Sequence, residues 1–227
     1  MMVDFHTHIL PCIDDGSKTV EQSIEMLRLE ASQGVTDVVL TSHFYAAKNN
    51  IHDYILSREK AFYQLKSHLE PGLPKLHLGA EVQYFEGICV ADEVVDLCIL
   101  GTDLLLLEMP FSGWSDRLVQ DVLMLNSRKD IHIMLAHIDR YLSFQDPDLW
   151  AYLADHGVLM QVNTSFFKGF WNRRKAMKMF QNGLIHALGT DCHSLHSRAP
   201  DWSVVPESIL NQINRMSYLP VAQPFSL

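Results

Sequence analysis

The sequence predicts an α/β fold: a parallel sheet closed or nearly closed into one barrel of the TIM-like (β/α)7 kind. Three observations predict it. Strand-like and helix-like segments alternate from Met2 to Gly189, which implies repeated β–α–β units. The run Val35–Ser42 is apolar and β-branched throughout, the pattern of a strand buried on both faces. No repeat, linker or low-complexity stretch interrupts the 227 residues, about half of them apolar, so a single domain over 1–227 is expected. An open doubly wound sheet is the alternative. Nothing like GxGxxG follows the first strand, which removes a dinucleotide site.

The elements follow in order. Met2–His6 is a short β run. Thr19 and Gln22 make a capping box, Ile24, Leu27 and Ala31 keep helical spacing, and Gly34 ends the helix. After the strand Val35–Ser42, His52–Leu69 reads as a helix stopped by Pro71-Gly72. Leu76–Val82 is a strand, followed by a looser stretch to Leu100. Leu104–Leu107 is a strand ended by Pro110, and Ser115–Asn126 is a helix. Ile131–Ala136, Val158–Val162 and Ile185–Gly189 are strands, separated by helices over Asp148–His156 and Asn172–Asn182. A last helix is expected over Val205–Met216, before a tail from Tyr218 that carries two prolines.

Composition removes several functions. A formal net charge of -9 argues against a nucleic-acid partner. The longest apolar run, Ile99–Leu107, is broken by Gly101 and Asp103 and is too short to span a membrane. The start MMVDFHTH has no signal-peptide character. Cys12, Cys89, Cys98 and Cys192 form no CxxC pair and read as reduced thiols, so a cytoplasmic protein is expected.

The histidines and acids carry the function. Parallel barrels place chemistry at the carboxyl ends of their strands. Here the strands end in His6-Thr7-His8, His43, Glu81, Glu108, His137 and Asp191-Cys192-His193; only Asn163-Thr164-Ser165 brings no strong ligand. Residues two apart on a strand share a face, so His6 and His8 can bind one ion. Carboxylates can bridge two ions, and a multinuclear site can hold both the attacking and leaving oxygens of a phosphoryl group. Nitrogen and oxygen ligation without thiolate suits Mn, Fe or Zn. A lone His-x-His pair, or a glutamate beside an arginine, would be ordinary; six strand ends together would not. His52, His68, His77, His132, His156, His186 and His196 fit no such position and read as packing or surface residues. Asp15 and Gly16 read as a turn into the first helix.

With these residues in place, the chain resembles the PHP superfamily of metal-dependent phosphoesterases, and within it the protein-tyrosine phosphatases of bacterial capsule and exopolysaccharide operons. The resemblance lies in DFHTHILPCIDDGSKT, LTSHF, GAEVQ, LLEMPF, LAHIDRY and GTDCHS and runs from Met2 to about Arg198. It implies a distorted barrel with two to three divalent or trivalent ions per chain: manganese first, with iron, zinc or magnesium as alternatives. His6, His8, Glu81 and Asp191 would hold one metal. Glu81 would bridge to a second with Glu108 and His137. Asp14, His43 and His193 would hold the third. Arg140 and Arg198 match the family's phosphate-binding arginines, and guanidinium suits bidentate phosphate binding. The implied substrate is phosphotyrosine in a protein, the tail of a polysaccharide-associated bacterial tyrosine kinase. His43 or Asp14 would assist as an acid.

Two other readings compete. Cys192 to Arg198 has the C-x5-R spacing of cysteine-dependent phosphatases, but the loop has no glycine to wrap a phosphate, and Cys192 on a strand points away from its two neighbours. A small-molecule phosphatase acting on histidinol phosphate is the alternative within the superfamily. Asp14, Arg140 and Arg198 argue against it.

Overall fold

The structure is a computed structural model, and it describes residues 1–213 and 218. Nine strands pair only in parallel: β1 (Val3–Thr7), β2 (Asp37–Leu40), β3 (His43–Phe44), β4 (Lys75–Leu78), β5 (Glu81–Gln83), β6 (Leu104–Glu108), β7 (His132–Leu135), β8 (Leu159–Asn163) and β9 (Ala187–Gly189). Six helices connect or follow them: α1 (Val20–Ser32), α2 (Ile51–Lys66), α3 (Asp116–Asn126), α4 (Pro147–Asp155), α5 (Phe170–Gln181) and α6 (Glu207–Ile213). Two short 3-10 turns, Ile88–Val90 and Asp92–Leu97, occupy the stretch read as irregular. The expected last helix is present as α6; residues 214–216 of that expectation, and the two tail prolines, lie outside the described residues.

Two expected strands are each divided. Val35–Ser42 becomes β2 and β3, parted at Thr41-Ser42, and Leu76–Val82 becomes β4 and β5, parted at Gly79-Ala80. The ladders therefore run β1-β2-β4 and β3-β5-β6-β7-β8-β9. The result is a curled parallel sheet of the half-barrel kind, with a complete ring of seven not among its ladders. At the break, Thr41 accepts from the Thr7 amide at 3.0 Å, and the Glu81 amide donates to Thr41 O at 3.1 Å, so the polar groups freed by the kink stay paired. A Cβ on Gly79 would sit 3.3 Å from both Ile99 and Val39, a tight contact that glycine avoids at the kink.

Burial follows the sequence pattern. β2, β6 and β8 are buried along their whole lengths. Thr19 caps α1 by accepting from the Gln22 amide at 3.2 Å. The reciprocal arm reaches one residue further back than a capping box does: Gln22 Oε1 accepts from the Lys18 amide at 2.8 Å. Gly34, at φ 89°, ends the helix. Among the described residues no helix is long and apolar enough to cross a membrane.

Candidate metal centre

The strand ends converge. His6 and His8 project from the end of β1 with their Nε2 atoms 3.1 Å apart. Glu81 Oε2 lies 3.2 Å from His6 Nε2 and 3.4 Å from His8 Nε2. Asp191 Oδ1 lies 3.4 Å from His8 Nε2 and 3.7 Å from His6 Nε2. On the other side of Glu81, Oε1 meets His137 Nε2 at 2.8 Å, and Glu108 Oε1 lies 3.5 Å from the same nitrogen. His43 Nδ1 lies 2.8 Å from Glu81 Oε2. Glu81 is thus central, with an oxygen toward each side. All of these side chains but His43, which is part-buried, are buried.

One expected ligand is displaced by a residue. Asp14 turns toward the back of His8: its Oδ2 meets His8 Nδ1 at 2.7 Å and accepts from the His43 amide at 2.9 Å, while Oδ1 accepts from the Gly16 amide at 2.9 Å. Both oxygens are committed. Asp15 instead brings Oδ1 to 3.4 Å from His193 Nε2 and 3.6 Å from His43 Nε2. The donor atoms of His8, Asp15, His43 and His193 all lie within 4.8 Å of one another. The turn expected at Asp15-Gly16 therefore also delivers a carboxylate. Gly16 permits it, because a Cβ there would lie 2.1 Å from the His8 carbonyl oxygen and 2.5 Å from its Cβ.

The surroundings of Asp14 favour its charged form. Burial alone would raise its carboxyl pKa, but the His8 imidazole and the two amides hold it well below the usual carboxylate range. Burial also disfavours a charged His8, yet hydrogen bonds to Asp14, Asp191 and Glu81 raise its pKa well above the ordinary value. Burial likewise opposes charge on His137, and Glu108 and Glu81 still push it up to about 9. Burial would raise Glu81, but the His6 charge and hydrogen bonds from His137 and His43 hold it low.

The cluster suits cations. Among the described residues, the buried His137 Nδ1 and His193 Nε2 make no hydrogen bond, and His43 Nδ1 and Glu81 Oε2 face each other at 2.8 Å. Buried polar atoms are ordinarily paired. Imidazole nitrogens and carboxylate oxygens gathered in one place are the donor set of a hard or borderline metal ion. Two residues of the cluster, His137 at φ 33° and Asp191 at φ 53°, hold left-handed backbone that non-glycine residues avoid, strain of the kind found at functional sites.

Both expected arginines reach the rim, and both rest on Asp191. Arg140 Nη2 pairs with Asp191 Oδ2, and Arg198 Nη2 lies 2.5 Å from Oδ1. Cys192 faces the other way: it is fully buried, with Sγ 4.0 Å from Glu30 Oε1. Burial and the charges of Glu30 and Asp4 push its thiol pKa well above the ordinary value, so it is no thiolate nucleophile.

The strand without ligands, β8, supplies supports. Gln161 Oε1 faces His6 Nδ1 at 3.2 Å and accepts from the His137 amide at 2.7 Å. Asn163 Nδ2 donates to Asp191 Oδ2 at 3.1 Å. Such partners fix ring orientation and tautomer. Their signal was two polar residues at period two inside an apolar run. Two aromatic residues also border the cluster: Tyr45 stacks on His43 at 5.0 Å and Phe111 on His137 at 5.7 Å.

Fold and site together define a class: parallel α/β proteins that gather metal-binding side chains at the carboxyl ends of their strands. The chain belongs to the capsular polysaccharide synthesis family CpsB/CapC, whose family model matches residues 2–218. It is 30% identical over 208 residues to the putative tyrosine-protein phosphatase CapC of Staphylococcus aureus, covering 87% of this chain and 79% of that protein. Its fold is similar to a crystal structure from work on YwqE of Bacillus subtilis and CpsB of Streptococcus pneumoniae, called unique metal-dependent tyrosine phosphatases. That match has a TM-score of 0.75 at 22% identity and covers 93% of this chain and 87% of the other. A putative histidinol phosphatase from Listeria monocytogenes shares the fold more loosely, with a TM-score of 0.55 at 15% identity over 88% of this chain and 98% of the other.

Proposed function

We propose that this chain is a metal-dependent protein-tyrosine phosphatase acting in capsule or exopolysaccharide synthesis. One observation carries the reading: the donor atoms of His6, His8, Glu81, Asp15, His43 and His193 converge in one cluster whose Asp191 is shared by two arginines at the rim. The tyrosine-protein phosphatase names of the relatives support the substrate class.

His6, His8, Glu81 and Asp191 would hold one cation, Glu81, Glu108 and His137 a second, and Asp15, His43 and His193 a third. Manganese is the first expectation. Bound divalent cations lower the pKa of water and offset phosphoryl charge. The chain's own residues do the rest. Arg140 and Arg198 have spare N–H donors to fork onto non-bridging phosphate oxygens. Gln161, Asn163 and Asp14 hold His6, Asp191 and His8 in place. Phenolate is a modest leaving group, so strong acid assistance is not needed. The substrate tyrosine is proposed to lie in the tail of a bacterial tyrosine kinase.

The test is metal analysis of the purified chain, with turnover of p-nitrophenyl phosphate and a phosphotyrosine peptide before and after chelation. Activity that survives complete metal removal, or is lost to thiol alkylation instead, overturns the reading.

A further inference from the structure

From residue 156 to residue 190 the chain contains no Asp or Glu. In a protein with 27 acidic and 18 basic residues this segment is a local reversal, and it carries Lys168, Arg173, Arg174, Lys175 and Lys178. The last four lie on α5. Arg173, Arg174 and Lys175 are exposed, and none of their side chains has an ion-pair partner among the described residues. Three adjacent cations without counter-charge form a surface that attracts anions.

Two cavities join this helix to the rim. One, of about 290 Å³, is bordered by Lys175 and Asn172 from α5 together with Ser165, Arg140 and Asp139. The other, of about 180 Å³, is bordered by Ser165, Arg140, Arg198 and Asp191, and by Lys168 with its ion-pair partner Asp201 at 2.9 Å. Arg140 and Ser165 border both, so the cavities are neighbours. A phosphate held by Arg140 and Arg198 leaves the rest of its peptide beside them. At the start of α5, Phe170 and Trp171 are 71% and 73% exposed and pack edge to face at 5.2 Å. Large aromatic rings without a core partner, next to cations, suit an amphipathic peptide better than bulk water.

Resting on the phosphotyrosine reading, we propose that α5 and these two cavities dock the acidic peptide segment flanking the phosphorylated tyrosine. Charge complementarity selects the occupant. A basic helix with exposed aromatics also suits an anionic lipid surface. The cavities decide between the two, because both open onto the arginine that serves the phosphate, and a flat bilayer has no use for them.

The experiment uses the metal-loaded full chain and the variant Arg173→Ala/Arg174→Ala/Lys175→Ala. Two phosphotyrosine peptides are compared, one flanked by Glu and Asp and one by Gln and Asn. Their kcat/KM and, by fluorescence anisotropy, their Kd are measured, with p-nitrophenyl phosphate as the small substrate. The unsubstituted chain is expected to favour the acidic peptide about tenfold, a preference that shrinks as salt is raised. The variant is expected to lose that preference while turning over p-nitrophenyl phosphate as before. Equal treatment of both peptides by the unsubstituted chain overturns the proposal, as does a preference that persists in the variant. Phosphatidylserine vesicles that bind in place of the peptide, and are released by the variant, overturn it in favour of a membrane. No turnover of any substrate by the unsubstituted chain would instead sink the phosphatase reading; the anisotropy measurement still decides the docking surface.

Discussion

The rim and α5 are neighbours of opposite character. The rim gathers Glu81, Glu108, Asp191 and Asp15 among histidines, while α5 and the segment around it contain no acid at all. Arg140 stands between them, paired to Asp191 on one side and bordering both α5-side cavities on the other. A site that must hold cations and receive an anion needs this division.

Four measurements break or sharpen this contrast, the largest effect first. Glu81→Gln removes the charge, and one of the two oxygens, of the carboxylate that serves both halves of the rim. It should lose more than about 100-fold in kcat/KM, beyond the range of an outer supporting residue, together with bound metal. Normal metal content with normal turnover would show that the rim does not depend on that carboxylate.

Arg140→Ala and Arg198→Ala should each lose about 10- to 100-fold in kcat/KM, the worth of a charge-assisted hydrogen bond. Arg→Lys should recover only part, since an ammonium cannot fork. Because both guanidiniums rest on Asp191, metal content must be measured beside the kinetics. Retained metal assigns the loss to phosphate binding, and depleted metal assigns it to the carboxylate they brace.

The pH dependence of the chelated protein gives a third. His137 has its pKa raised in the fold to about 9, from about 6.5 in an unfolded chain. A raised pKa means that the folded state holds the proton more tightly. The stabilisation is full below about pH 6.5 and is lost as pH rises through 9, on the order of 3 kcal/mol. Thermal unfolding of the chelated chain should therefore shift downward between pH 6.5 and 9. A flat profile would mean that His137 does not sit among ionised carboxylates.

Cys192→Ser is the smallest. Its side chain faces Glu30, away from the rim, so kcat/KM should stay within about twofold and metal content should not change. Loss of turnover with metal retained would restore the cysteine mechanism.

Much of this was legible in the sequence, and the failures have physical causes. His6, His8, His43, Glu81, Glu108, His137, Asp191 and His193 are found together because strand ends can be read from local pattern, and parallel strands place their carboxyl ends on one side. The Asp14-Asp15 pair resisted reading. Neighbouring acids in a turn differ only in which way the backbone aims them, and that is set by Gly16 closing against His8, a long-range packing fact. The divided strands were invisible for a similar reason: Val35–Ser42 has one uninterrupted pattern, and the break at Thr41-Ser42 is made by pairing with Thr7 and Glu81. Gly79 inside a strand pattern was the only local warning. Gln161 and Asn163 were passed over because neither carries charge.

The cluster draws its side chains from positions 6 through 193. No shorter stretch of chain contains the set: the first strand offers two imidazoles, but the carboxylate and imidazole that complete them are made more than 180 residues later. During synthesis the full complement of donors cannot exist until the last strand has emerged and docked beside the first, where the His8 amide donates to the Cys192 carbonyl at 2.9 Å. Tight loading is thus a late event, open only to a chain that has been made through residue 193 and folded end against end.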